Sequence, residues 1–370
     1  MLENILVYIG TYTEPIKFGT GRILDSKGEG IYLLKLDFKT GELNLIEVFK
    51  KTINPSYLTI NKKTGCLYTV NELKEFQGKP SGSVTSFKIS DTSGKLTYIN
   101  TQPTGGTDPC HVETNLKGTH LYVSNFMSGS VCVFPLNPDG SIGESSQFIQ
   151  HVGSSMDLHR QSGPHAHSLV FSPDGQFAFV PDLGLDKVMI YAVDANTQTL
   201  VPAAEPFFRT QPGAGPRHCT FEPNGAFCYL INELDSTILG LSFDQKNGKF
   251  VELQCVSSLP EGITVPGNTC ADVHITQDGN FLYGSNRGHN SLVIYKINKK
   301  TGLLEFAGCH SCGGETPRNF AIDPTGNFLI CANQDSDDVV VFKIDPETGS
   351  LCEKSRIKVP TPVCVQPFIL

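Results

Sequence analysis

No apolar run in this 370-residue sequence exceeds six residues, a length reached at Val188–Val193 and Ala226–Ile231. A membrane-spanning helix needs about 20, so none is encoded. The opening MLENILVYIGTY lacks the cationic start and the roughly 7–15-residue apolar stretch of a secretory signal, which predicts a cytoplasmic protein. Positive charge is scarce: 29 Lys and Arg against 37 Asp and Glu leave a net charge of −8. A negative field of this kind opposes nucleic acid and anionic membranes, whose phosphates require a basic patch. Twelve cysteines are too dilute for a disulfide scaffold and predict a reduced chain. Cys66, Cys132, Cys228, Cys255 and Cys331 stand in apolar, strand-like runs and are expected to act as small buried hydrophobes. The single C-x-x-C, Cys309–Cys312, has neither the second pair of a zinc ribbon nor the βαβ surroundings of a redox motif. G-x-S-x-G, P-loop and Rossmann fingerprints are also missing, and no cofactor is expected.

What the sequence does contain is punctuation and repetition. Its 36 glycines and 23 prolines predict many turns and no long helices. One unit recurs six times: Asn54–Glu72, Asp108–Asn125, Ala166–Asp182, Gly215–Glu233, Cys270–Arg287 and Thr316–Asn333. Each copy has a short alternating run, a tight turn of the Pro-Asp-Gly kind, and an apolar run ending in Asn or Asp. In such turns Pro presets φ and Gly supplies a positive one. A third β-rich run follows each copy (Ser83–Ile89, Ser130–Leu136, Lys187–Val193, Thr237–Phe243, Ser291–Ile297, Asp338–Ile344), then a second turn and a weaker fourth strand. Four antiparallel strands repeating at roughly 50 residues are the signature of propeller blades. A pair of β-sandwiches would not produce a constant unit.

The two ends supply a seventh blade. Asn4–Tyr12, Gly30–Asp37 and Glu42–Phe49 read as its second, third and fourth strands, and Pro360–Phe368 as its innermost strand. Pairing the C-terminus with the N-terminal blade removes unpaired backbone edges. The expected fold is therefore an all-β, seven-bladed propeller in one domain, 1–370.

The repeat also selects a site. The start of each inner strand and the end of the next strand lie at one face of the disc. With the turn residue as anchor (Lys62, Leu116, Pro173, Pro223, Gln277, Pro324), the position nine later is Asn71, Asn125, Asp182, Asn232, Asn286 and Asn333. A residue type kept in every unit indicates a structural task, such as satisfying backbone groups at strand ends. Six before the anchor stand Ser56, Cys110, His167, Arg217, Ala271 and Arg318; ten after stand Glu72, Phe126, Leu183, Glu233, Arg287 and Gln334. These positions vary between blades, as a reaction centre requires. They nominate His167, Glu233, Arg217 and Arg287 as catalytic, with Arg318 and Glu72 as substrate contacts; His165 and Asn232, close to them in sequence, are added as further substrate contacts. Three arginines at one mouth of an acidic protein suit a small carboxylate or phosphate ligand. The alternative is that each arginine forms a structural ion pair with Glu233 or Glu72.

His165 and His167 share a face if both lie in a strand, but His165 falls where the strand begins and no third ligand has suitable spacing, so no metal is expected. A lone His at a channel mouth is better read as an acid or base. His111 and His218, one position further along their strands, are expected to pack between blades or cap backbone groups. The polar insertion Gly153–Gly163 is expected either to cover the mouth or to decorate the surface.

GPHAHSLVFSPDG (163–175), GPRHCTFEPNG (215–225), Asn232–Glu233, SNRGHNSL (285–292) and TPRNF (316–320) together resemble the lactonase family of seven-bladed propellers over essentially the whole chain. That family includes propeller 6-phosphogluconolactonases and carboxy-cis,cis-muconate cyclases. The resemblance implies that His167, Arg217, Glu233 and Arg287 match the active residues of the family's cyclase branch. It also implies hydrolysis of an anionic sugar lactone such as 6-phosphogluconolactone, a step of the pentose phosphate pathway. The other readings are a cyclase acting on a muconate-type dicarboxylate and a non-catalytic binding propeller. In the enzymatic readings Glu233 and His167 divide the acid and base roles. A monomer or weak homo-oligomer is expected.

Overall fold

The computed structural model describes residues 5–18 and 20–370, and no helix occurs among them. None is therefore long and apolar enough to cross a membrane. Seven four-stranded antiparallel sheets form the ring. Blades 1 to 6 follow the six sequence units, and their inner strands begin near Pro55, Pro109, Ala166, Pro216, Thr269 and Pro317. Blade 7 is composite: Pro362–Ile369 pairs antiparallel with Ile5–Thr11, from Ile5 opposite Ile369 to Thr11 opposite Pro362. Ile31–Leu36 and Leu43–Phe49 complete it. Asn4, where the second strand of this blade was expected to open, lies outside the described residues.

Burial follows the sequence pattern. Second and third strands are sandwiched between neighbouring blades and read as almost continuous buried runs, as in Cys66–Asn71 and Ser83–Ile89. Outer strands, solvated on one side, alternate (Lys249–Ser257). Cys255 lies on such an outer strand and is exposed, contrary to expectation, whereas Cys66, Cys132, Cys228 and Cys331 are buried.

Neighbouring blades are tied by a repeated hydrogen bond. Six residues after the anchor, Tyr68, Tyr122, Tyr229 and Tyr283 lie in second strands. Each donates its O–H to a carbonyl in the outer turn of the next blade: Gly140, Gln198, Gly302 and Gly349, at 2.6–3.0 Å. Tyr8 of blade 7 does the same to Gly94 of blade 1. Blade 3 has Phe179 there, which packs instead on Phe221, Phe243 and Phe250.

The position nine after the anchor is structural, as its constancy implied. Asn71 donates to Thr52 Oγ1 and the Ile53 carbonyl, and Asn286 to the Ser258 carbonyl. Blade 3 has Asp182 because its partner there is His151, whose Nδ1 lies 2.6 Å from Asp182 Oδ2.

Candidate active site

A break in strand pairing aims the inner-strand residues at the mouth. Pro55, Pro109, Pro216 and Pro317 pair with the second strand, and the register then skips the next residue: Ser56, Cys110, Arg217 and Arg318. The closing blade skips Val363 in the same way. A bulge of this kind re-aims a side chain. Ser56, Cys110, His167, Arg217, Arg318 and Val363 converge on a narrow constriction at the top of the channel.

Above the constriction lies a cavity of about 350 Å³. Its walls include Glu72, Phe126, Glu233, Arg287 and Gln334, five of the six residues ten after the anchor; Leu183 is absent from them. His167 and Arg318 border both the cavity and the constriction, whereas Arg217 borders only the constriction. A third ring, eight before the anchor, contributes Asp108, Thr269 and Thr316. Of the residues at this position, the sequence nominates only His165, and Asp108, Thr269 and Thr316 are not among its candidates.

Glu233 is the electrostatic centre. Its Oε2 lies 3.0 Å from Arg217 Nε and 2.8 Å from Arg287 Nη2, and its Oε1 2.5 Å from Arg160 Nη2. Burial alone would raise the Glu233 carboxyl; Arg287, Arg160 and Arg217 outweigh it and hold it well below the usual carboxylate range. A carboxylate so held is a poor proton acceptor but a firm anchor for guanidiniums. Arg160 belongs to the insertion Gly153–Gly163, which therefore contributes to the site and is not mere decoration.

The opposite wall is a second relay. Arg318 Nη2 donates to Tyr12 Oη at 2.8 Å, and the Tyr12 O–H donates to Glu72 Oε2 at 2.8 Å. The Arg318 guanidinium also stands 5.4 Å from the ring centroids of Tyr12 and Phe18.

His167 is buried beside Cys110, whose thiol donates to the His167 carbonyl at 3.1 Å. Burial, then the charges of Arg217 and the neighbouring His218, hold its imidazole well below the ordinary histidine value. It is therefore neutral at pH 7, with one donor and one acceptor nitrogen.

Two expected contacts stand elsewhere. His165 stacks on Phe126 and bonds that residue's carbonyl through Nδ1, behind the cavity wall. Asn232 is buried and donates to Thr237 Oγ1, the strand-end task of its five counterparts. His111 and His218 pack between blades as expected: His218 Nδ1 lies 2.8 Å from Asp272 Oδ1, and His111 stacks on Tyr57.

Three buried polar atoms along this one cavity have no hydrogen-bond partner among the described residues: the Arg287 Nε donor and the Gln334 Oε1 and Asp108 Oδ2 acceptors. Buried polar groups are rarely left unpaired, because each costs about 1–3 kcal/mol. Their clustering marks a site shaped for a polar ligand.

The class defined so far is a seven-bladed propeller with an arginine-rich, ligand-sized mouth. A family model described as "Lactonase, 7-bladed beta-propeller" matches residues 6–367, and the chain belongs to that family. It is 34% identical over 323 residues to a Bacillus subtilis protein named 6-phosphogluconolactonase, covering 87% of this chain and 86% of the relative. It is 37% identical over 310 residues to a Formosa agariphila protein of the same name, covering 82% and 85%. The solved structure of a Pseudomonas aeruginosa periplasmic gluconolactonase superposes with a TM-score of 0.89 at 33% identity, covering 99% of each chain.

Proposed function

We propose that this protein hydrolyses an anionic sugar lactone, with 6-phosphogluconolactone as substrate. The observation that carries the reading is the cluster of unpartnered polar atoms in an arginine-walled cavity, in a chain whose relatives carry that enzyme's name. A sugar lactone offers a carbonyl oxygen to the free Arg287 N–H and a hydroxyl to the unpartnered Gln334 Oε1. Developing negative charge on the carbonyl oxygen is stabilised by guanidiniums already fixed by Glu233, so little reorganisation is needed during reaction. His167, neutral, has Nδ1 3.8 Å from Cys110 Sγ and offers its other nitrogen to the bound lactone. The phosphate falls to the rim, where Lys17 and Arg22 line the cavity. Arg22 is paired with Asp335 at 2.9 Å, whereas Lys17 has no carboxylate partner among the described residues.

We assign the activity to the cytoplasm. The support is that all twelve cysteines are free and nine of them are buried, as in a reducing compartment. Cell fractionation checks this. The test of function is lactone hydrolysis corrected for spontaneous opening, run beside a muconate-type dicarboxylate on the same preparation. Turnover of the phosphorylated lactone supports the reading. Turnover of the dicarboxylate alone replaces it with the cyclase reading, since the same guanidiniums would hold two carboxylates.

A further inference from the structure

Three carboxylates border the cavity, and two are committed. Glu233 holds three arginines, and Glu72 accepts the Tyr12 hydroxyl. Asp108 differs. Its backbone is fixed on both sides: its N–H donates to the Leu73 carbonyl, and its carbonyl accepts the Phe126 N–H. Its φ is +51°, a left-handed conformation that Asp and Asn tolerate. The residue is only 4% exposed, yet its side chain makes no hydrogen bond among the described residues and Oδ2 is fully shielded. The corresponding residues of other blades have structural tasks. Asn54 Oδ1 accepts the N–H groups of Thr13 and Glu14, and Thr316 Oγ1 donates to Asp335.

We propose that Asp108 is the general base of the lactone hydrolysis, taking the proton of the attacking water. The inference rests on the lactonase reading above. As the water oxygen bonds to the carbonyl carbon, one water proton passes to the Asp108 carboxylate. The carbonyl oxygen becomes an oxyanion, which the arginines stabilise. When the tetrahedral species collapses, the bond between that carbon and the ring oxygen breaks. The ring oxygen takes the proton back from Asp108 and becomes a hydroxyl. The new carboxylic acid releases its own proton to solvent, and Asp108 returns to its starting state.

The surroundings suit this role. Burial, then the negative charge of Glu72, push the Asp108 carboxyl up to about 7, against the pull of Lys74, whose Nζ is 3.9 Å from Oδ1. The nearby Cys110 thiol is kept neutral by burial, and the loop 126–129 on the other side carries no titratable side chain. A group titrating near the working pH both accepts and returns a proton efficiently. Glu233 is too acidic for this, and an imidazolium at His167 is opposed by burial and by Arg217.

The test compares wild type, Asp108→Asn and Asp108→Gly in base-corrected hydrolysis of 6-phosphogluconolactone from about pH 5.5 to 8. Asn and Gly both accept the left-handed backbone, so both variants should fold, as circular dichroism will show. The expected results are an acidic limb in wild type with a midpoint near 7, and a kcat about 10²–10⁴-fold lower in Asp108→Asn with KM little changed and the limb gone. Added formate should restore part of the rate of Asp108→Gly, which a merely structural residue would not allow. An Asp108→Asn enzyme that keeps its kcat, or changes only in KM, overturns the assignment while leaving the lactonase reading intact. A folded wild type inert toward lactones overturns both.

Discussion

Arg160 and Glu233 lie 73 residues apart in sequence, yet Arg160 Nη2 approaches Glu233 Oε1 to 2.5 Å. The contact ties the insertion before blade 3 to the end of the second strand of blade 4. It completes a cage of three guanidiniums around one carboxylate and makes the insertion part of the cavity wall. Arg160→Ala should therefore raise KM for the phosphorylated lactone about tenfold, as loss of a partly exposed charge contact does. Its melting temperature should stay close to wild type. Steady-state kinetics with a parallel melt checks both, and unchanged kinetics would return the insertion to surface decoration.

Glu233→Gln leaves three guanidiniums facing a neutral amide. Removing one partner of a buried ion pair costs about 3–5 kcal/mol, so a clear fall in melting temperature is expected, with kcat/KM lowered at least tenfold. The Glu233 carboxyl is depressed in the folded state. Its stabilising contribution is thus complete above the unfolded value of about 4.3 and is lost as pH falls through the folded value. The gap between wild type and variant should be full at pH 7 and close in strong acid. Melting curves across pH measure it.

Asp108 carries the opposite linkage. Its folded carboxyl is raised to about 7, so its contribution is complete below about 3.9 and lost as pH rises to the folded value. Asp108→Asn should gain stability over wild type progressively between about pH 4 and 7 and hold the gain above that, while losing activity. Thermal denaturation at several pH values checks the sign.

Lys17→Ala should weaken binding of the phosphorylated lactone and leave the unphosphorylated lactone unaffected. Raising the salt concentration should narrow the difference, because the contact lies at the solvated rim. A KM comparison on the two substrates reads it directly.

Tyr229→Phe removes one tie between blades and leaves the Gly302 carbonyl unpaired. A loss of about 1–2 kcal/mol is expected in chemical denaturation, with unchanged kinetics. Blade 3, which has Phe179 at this position, shows that the ring tolerates the residue where packing replaces the bond.

The ring was legible because each blade repeats its own local turn and apolar runs, so six weak signals reinforced one another. Closure was legible because Pro360–Phe368 has an inner-strand pattern with no blade of its own, and the observed strand is Pro362–Ile369. Two site rings could be read from irregularity within a regular repeat, and the skipped register at Arg217 and Arg318 is its physical cause. Asp108 could not be read this way. Its position demands a left-handed backbone, so an Asp before Pro109 looks like ordinary turn chemistry. Arg160 stands in an insertion with no counterpart in other blades, and periodicity says nothing about where such a residue reaches. Asn232 donates to Thr237 Oγ1, a strand-end task that the constancy of its five counterparts already signals in the sequence. The tyrosine ties had a sequence signal, a recurring Tyr six after the turn, visible in four of the six units.

Lactone opening at the arginine-walled mouth is the proposal on which the rest depends. The most direct measurement is the initial rate of 6-phosphogluconolactone hydrolysis by wild type and Arg287→Ala, with spontaneous opening subtracted. Wild-type turnover should lie far above the spontaneous rate, and removing the Arg287 guanidinium should lower it about 10²-fold or more. Wild-type rates no faster than spontaneous opening, or an Arg287→Ala enzyme as active as wild type, would contradict it.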